Sequence, residues 1–290
     1  MTIGGVFKDY TTRDLGYGRI LFFAFILVTH FGRDYRVWGG ADTIFLKNRQ
    51  PLYEFFNIYP VSSPVMEVIF WAWIASLILS MLGLFTRTSQ FVAIMTSGYL
   101  WGLRYGMDVS HTDAIVLCTM ILVWFSPSGN RVSLDQYLFK HKDDAEPLDL
   151  KWFYYSTTAL FAFIFFHAGL LKLKWMGLEW MRHDYLFEWF NLEQYIISWN
   201  EGSRYITFGY NLLGRIPLVG EGIAISSLII ELASPLALLN RFNFRLIIFL
   251  LAGLQVGIHV VYSWTFWTYV PIYLILINWD TLVSKKLGNQ

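Results

Sequence analysis

The chain has 290 residues, of which 56% are apolar, 19% aromatic and only 15% charged. A soluble domain carries about 25% charged residues, because polar side chains must cover its surface. The composition therefore excludes an ordinary soluble protein and favours an integral membrane protein. The 22 basic and 21 acidic residues nearly cancel, which excludes the basic surface of a nucleic-acid-binding protein. The single cysteine, Cys118, excludes an internal disulfide, a CxxC redox pair and a thiolate metal site.

Eight apolar segments follow an N-terminal stretch of mixed charge, residues 1–19. That stretch has no small-residue cleavage site, so we expect it to be retained rather than removed as a signal peptide. A membrane span needs about 20 residues, and we expect the shorter segments to tilt or to use flanking aromatic and lysine residues. The segments are 15–30, 66–85, 89–103, 113–125, 153–171, 223–239, 246–261 and 266–279.

The polar connections between these segments are unequal in length. Two long ones, 31–65 and 172–222, fall on one side of the membrane, and 126–152 falls on the other. Within 180–199, apolar residues recur at helical spacing among charges, which is typical of an amphipathic helix in the membrane interface. The predicted fold is all-α: one polytopic domain over 1–290, with about eight transmembrane helices and an interfacial helix. The side of the membrane that carries the N-terminus has slightly more basic residues than the other side, which favours cytoplasmic termini.

Ionisable side chains at membrane depth are costly, so each is a candidate functional residue. A lone histidine in an aromatic helix is usually a hydrogen-bonded core residue, and Glu231 would serve structurally by pairing with Arg241 or by capping a broken helix. Metal binding is not expected, because no histidine has HxxxH or ExxH spacing. Nucleotide binding is not expected either, because no P-loop or GxGxxG motif follows a strand. The candidates are Glu67, His111, Asp113, His167, Lys172, Glu231 and His259.

Lys172 lies where the fifth apolar segment meets the aqueous side. One interpretation is a lysine that anchors the end of a helix, as its neighbour Lys174 does. The other is a base: a lysine in apolar surroundings loses stabilisation of its charged form and can accept a proton near neutral pH. Ala168-Gly169 precede it, and such small residues let a helix or a ligand approach closely. Both interpretations stay open on the residues alone.

Six short motifs occur in order along nearly the whole chain. They are Gly18-Arg19-Ile20, Leu82-Gly83-Leu84-Phe85-Thr86-Arg87, Ser110-His111-Thr112-Asp113, Pro127 to Asp135 (PSGNRVSLD), Ala168-Gly169-Leu170-Leu171-Lys172-Leu173 and Gly257-Ile258-His259. Their order and spacing resemble the membrane domain of the vitamin K-dependent γ-glutamyl carboxylase family, also called the horizontally transferred transmembrane domain.

This resemblance implies a site for an isoprenoid hydroquinone, with no metal or nucleotide. Lys172 matches the family's base, and His111 matches the histidine that hydrogen-bonds to it, although Ser110 replaces the family's asparagine. His259 and Glu231 match other family positions inside spans, and we group His167 with them as quinone-binding candidates.

The resemblance also limits the expected activity. The carboxylases continue into a lumenal substrate-recognition region, whereas this chain stops at Gln290, so protein carboxylation itself is not expected. We therefore expect a hydroquinone-dependent oxidoreductase or lyase core in contact with membrane lipid. The alternative is a non-catalytic accessory or maturation factor that packs against a membrane complex or a secreted peptide. A transporter is disfavoured because the chain has no internal repeat.

Overall fold

The computed structural model describes residues 5–42, 55, 58–105, 112–139, 150–182, 184, 187–188, 191–192, 216–262 and 267–282. Throughout these residues the regular structure is helical and contains no strand, which confirms the all-α prediction. The α-helices are α1 (Thr12–Phe31), α2 (Ser63–Leu82), α3 (Thr86–Tyr105), α4 (Thr112–Phe125), α5 (Leu134–Phe139), α6 (Lys151–Met176), α7 (Pro217–Ala233), α8 (Arg241–Tyr262) and α9 (Val270–Ile275). Short 3₁₀ helices cover Tyr35–Trp38, Gly177–Met181, Ser234–Leu238 and Trp267–Tyr269.

Several helices are suited to a bilayer. In the described part of the chain, five are long and apolar enough to cross it, namely Thr12–Phe31, Ser63–Leu82, Lys151–Met181, Pro217–Leu238 and Arg241–His259. The remaining predicted spans do not meet those criteria: α3 is more polar, α4 has 14 residues and α9 has six. The lengths and composition of these helices indicate a membrane protein. The count of eight spans and the orientation stay predictions.

The predicted interfacial helix lies largely outside the described residues. Within 180–199, the structure assigns helix to residues 184, 187–188 and 191–192, and the 3₁₀ helix Gly177–Met181 overlaps the start.

Contacts along the chain define two compact units. The first consists of residues 7–157 and 267–290, and the second of 1–6 and 158–266. In the first unit, α1 packs on α2, α2 on α3 and α3 on α4, while α9 packs on α1. In the second unit, α7 packs on α8 and on the 3₁₀ helix Gly177–Met181. The single-domain prediction stays untested.

A buried arginine organises one end of the first unit. Arg19 in α1 is fully buried, and its guanidinium donates to two backbone carbonyls, that of Ser128 at 3.0 Å and that of Val132 at 2.6 Å. Gly83 ends α2 in the left-handed conformation, with φ of +69°. A Cβ at Gly83 would also collide with the Arg19 guanidinium and with Ser133. Glycine is therefore required here both by backbone conformation and by space.

Asp135 binds the turn between α2 and α3, next to Gly83. Its carboxylate accepts from the backbone N–H groups of Phe85 and Thr86 and from the Thr86 hydroxyl, each at 2.7 Å, which caps the start of α3. The Asp135 N–H in turn donates to the Gly83 carbonyl at 2.9 Å. Three of the motifs that carry the family resemblance, residues 18–20, 82–87 and 127–135, thus meet at this end of the unit.

Replacing Gly83 tests this arrangement. We expect Gly83→Ala to lower the free energy of unfolding by about 2 kcal/mol or more, because the left-handed conformation and the contact with Arg19 both penalise a side chain. Thermal unfolding in detergent, followed by tryptophan fluorescence, measures the loss. The matched control is Gly253→Ala in α8, where a Cβ meets open space, and alanine there stabilises a helix by about 0.5–1 kcal/mol. Equal melting temperatures for the two variants would contradict the account.

Candidate functional site

A lysine–glutamate pair links α6 to α7 in the second unit. The Lys172 ammonium donates to both carboxylate oxygens of Glu231, at 2.6 and 2.7 Å. The Glu231 side chain is 5% exposed and that of Lys172 is 20% exposed. The carboxylate therefore pairs with Lys172 rather than with Arg241, the partner considered from the sequence.

Small residues bring the two helices close enough for this pair. Gly169 lies one turn before Lys172, and a Cβ built on it would come within 3.2 Å of the Glu231 Cβ and 3.1 Å of the Leu232 side chain. The close approach expected at Ala168-Gly169 is thus made by a helix, α7. A second bond joins α6 to the 3₁₀ helix that follows α7, since the Ser234 hydroxyl donates to the Ala162 carbonyl at 2.7 Å.

An aromatic ring forms the third side of the pair. The Lys172 ammonium lies 4.6 Å from the centroid of the Trp180 ring, within cation–π range. Trp180 belongs to the 3₁₀ helix that follows α6 and is buried. The lysine head is therefore held by a carboxylate and an aromatic face, whereas a helix-anchoring lysine would extend into water. Lys174 is exposed and stacks over Trp175 at 5.1 Å, as the anchor interpretation predicts for that residue.

The pair is suited to moving a proton. Burial disfavours the charged form of a lysine and of a carboxylate, and their mutual attraction at hydrogen-bond distance offsets part of that cost. When Glu231 holds the proton, the Lys172 amine has a lone pair and can accept another proton from a ligand. The Lys172 side chain as a whole is 20% exposed.

Of the other predicted site residues, the structure describes His167 and His259. His167 is exposed on α6 and stacks on Phe163, with ring centroids 6.0 Å apart. His259 is exposed on α8. His111 lies outside the described residues. The structure therefore brings together Lys172 and Glu231, and the roles of the three histidines stay predictions.

A second buried polar cluster, in the first unit, was not predicted from the sequence. His30 at the end of α1 accepts from or donates to the Tyr35 hydroxyl through Nδ1 at 2.7 Å, and its Nε2 lies 3.9 Å from Asp113. Arg33 and Arg104 approach the other carboxylate oxygen of Asp113 at 3.8 and 3.7 Å. Burial raises the pKa of Tyr35 above its usual value, so its hydroxyl stays neutral.

Aromatic rings enclose this second cluster. The Trp101 ring stacks on the His30 ring with centroids 4.9 Å apart, and Trp73 meets it edge-on at 6.3 Å. The sequence predicts Asp113 as a candidate residue, whereas it marks His30 only as the last residue of the first apolar segment. The available signal was topological: the first and third predicted spans end, and the fourth begins, on the same side of the membrane. Polar residues at those three ends are therefore expected to meet.

The comparisons with known proteins identify no relative: no family model, no curated protein and no solved structure matches the chain. Among the described residues, no group of three or more histidine, cysteine or acidic side chains is arranged to hold a metal ion. The functional argument therefore depends on the two clusters themselves.

The Lys172–Glu231 pair predicts a characteristic mutant series. Lys172→Met alone leaves a buried carboxylate without its cation, and we expect it to lower the free energy of unfolding by about 3 kcal/mol. The double variant Lys172→Met/Glu231→Leu removes both charges, so most of that loss should return. Thermal melts in detergent measure the series. Additive losses in the double variant would show that the two side chains do not interact.

The second cluster predicts a cost for neutralising Asp113. Asp113→Asn removes the buried carboxylate that Arg33 and Arg104 approach, and because these arginine side chains are 39% and 30% exposed we expect a loss of about 1–2 kcal/mol in unfolding free energy. The control is Asp34→Asn, whose side chain is 49% exposed against Arg36 and should lose about 0–1 kcal/mol. Chemical denaturation of both variants in the same detergent provides the comparison. A loss at Asp34 as large as at Asp113 would contradict the cluster's importance.

Proposed function

We propose that this chain is a membrane oxidoreductase or lyase core of the horizontally transferred transmembrane type, which binds an isoprenoid hydroquinone and deprotonates it with Lys172. The observation that supports the proposal most is the bond from Lys172 to both oxygens of the buried Glu231. The proposal includes about eight spans, cytoplasmic termini and His111, His167 and His259 as further residues of the site.

The residues of the pair fit a hydroquinone. A hydroquinone has a flat apolar ring and weakly acidic hydroxyls, and when bound it supplies the acidic proton and the reducing electrons. Trp180 lies against the lysine head and makes this side of the site apolar. Lys172 Nζ accepts the hydroxyl proton, and Glu231 stabilises the resulting ammonium. Once Glu231 has released its own proton to water, its carboxylate can take the proton from Lys172, which returns Lys172 to its amine form.

A second candidate function is an accessory or maturation factor without catalysis. The observation that favours it is an exposed apolar edge directly beside the pair: Trp175 is 72% exposed and Leu178 is 71% exposed. In that case Lys172 and Glu231 would hold α6 and α7 together, and the exposed edge would contact a membrane-protein partner or a secreted peptide.

The test separates folding from proton transfer. Lys172→Arg keeps a cation for Glu231 but cannot lose its proton, because a guanidinium stays charged at any working pH. We expect this variant to fold while hydroquinone-dependent oxygen uptake falls by about two or more orders of magnitude, the usual contribution of a general base. Lys174→Ala is the matched control and should retain the wild-type rate. Mass spectrometry of quinones that co-purify with each variant checks whether binding survives.

The outcomes distinguish the two candidates. Quinone in the wild-type protein together with lost turnover in Lys172→Arg supports the enzyme. Full turnover in folded Lys172→Arg contradicts the role of Lys172 as base. Absence of quinone and of turnover in the wild-type protein, with a stoichiometric protein partner that is lost on Trp175→Ala, favours the accessory factor.

A further inference from the structure

Two adjoining cavities lie along α2 and α3 in the first unit. The first is almost wholly apolar and has a volume of about 310 Å³. Small side chains of α2 open it, among them Ala72, Ala75 and Ser76, and Val92 of α3 lies across from them. Ala75 is exposed, so the cavity is a groove on the outside of this helix pair. The groove lies on α2, an apolar helix long enough to cross a membrane.

The second cavity continues from the first at the end of the helix pair. It has a volume of about 360 Å³ and a larger share of polar lining, including Arg87, Asn130 and Thr86. Phe85 and Thr88 line both cavities, so the two share a wall. The combined shape is an apolar groove that ends in a polar cup. Each cavity lies near the lower end of the range of about 300–1,000 Å³ that ligand sites occupy.

Arg87 gives the polar cup an available positive charge. In the described part of the chain, its guanidinium makes no hydrogen bond or ion pair, whereas its backbone carbonyl accepts from Trp124 Nε1 at 3.0 Å. The carboxylate that also lines the cup, Asp135, already accepts from the two N–H groups and the hydroxyl at the start of α3. The cup therefore offers a free cation beside an anion that is engaged elsewhere.

The walls of the cup are preformed. Phe85 has a positive φ of 46°, which costs a non-glycine residue about 1–2 kcal/mol. The bond from its N–H to Asp135 holds this conformation, and the Phe85 ring stays 60% exposed at the junction of the two cavities. A strained backbone that keeps a large apolar ring exposed between an apolar groove and a polar cup indicates a binding role.

We infer that this groove and cup bind one anionic phospholipid, with its phosphate at Arg87 and Asn130 and one acyl chain along Ala72, Ala75 and Val92. The charge of Arg87 complements the phosphate, and the Asn130 amide adds hydrogen-bond capacity. The apolar groove complements the chain, and the exposed Phe85 ring lies at the level where head group and chain meet. Basic pockets between membrane helices are the usual sites of such head groups.

Native mass spectrometry of the full chain, released from micelles that contain equal amounts of phosphatidylglycerol and phosphatidylcholine, tests the site. We expect wild-type protein to retain phosphatidylglycerol about five-fold over phosphatidylcholine, the preference that one arginine near the surface supplies. Arg87→Ala should abolish the preference and Arg87→Lys should restore it. Ala75→Phe, which fills the groove, should reduce retention of both lipids.

Two control variants make the result specific. Arg245→Ala removes an exposed arginine of α8, and Val68→Phe enlarges an exposed side chain of α2 outside the groove. Both should behave as wild type. Thermal unfolding in detergent, followed by total tryptophan fluorescence, reports folding of the Arg87 variants, which keep the backbone carbonyl that accepts from Trp124 Nε1. A preference that survives Arg87→Ala, or that falls equally in Arg245→Ala, overturns the proposal. So does equal retention in Ala75→Phe and wild type.

Discussion

The burial of one guanidinium, that of Arg19, determines how the first unit is put together. A charge removed from water inside an apolar bundle must have its hydrogen bonds satisfied, or its cost exceeds what packing returns. Two carbonyls of the 127–135 segment accept from its two terminal nitrogens, whereas its Nε has no hydrogen-bond partner in the described part of the chain. Gly83 leaves room for the guanidinium, and Asp135 ties the start of α3 to the same segment. One buried charge on α1 thus fixes the ends of α2, α3 and α4 together.

The second unit also buries a charged group, but there the partner is a side chain of opposite charge rather than backbone carbonyls. The buried carboxylate of Glu231 receives a lysine from the neighbouring helix, and the glycine one turn earlier lets the helices approach. The two buried groups differ in whether the cation can give up a proton. An arginine bonded to carbonyls keeps its charge in every state, so it can serve only structure. A lysine bonded to a carboxylate can exchange its proton, so it can serve chemistry as well.

Composition and hydropathy predicted the helical class and the positions of the helices, because apolar runs identify their elements without tertiary context. The sequence predicted Lys172 and Glu231 as candidate site residues but did not predict that they pair. They lie 59 residues apart, and residues nearer in sequence were equally possible partners. The His30 cluster was missed because a histidine at a span end looks the same whether it faces lipid or a buried aspartate. Pairing across helices depends on packing angles that periodicity does not contain.

The contacts of Arg19 span 109 and 113 residues of sequence, which matters while the chain is being made. At about 5–20 residues per second, Arg19 is synthesised roughly 5–20 s before Ser128 and Val132. During that interval the guanidinium lacks the two carbonyls to which it donates in the folded protein. The bonds that accompany its burial therefore form only after the 127–135 segment has been made, more than a hundred residues later.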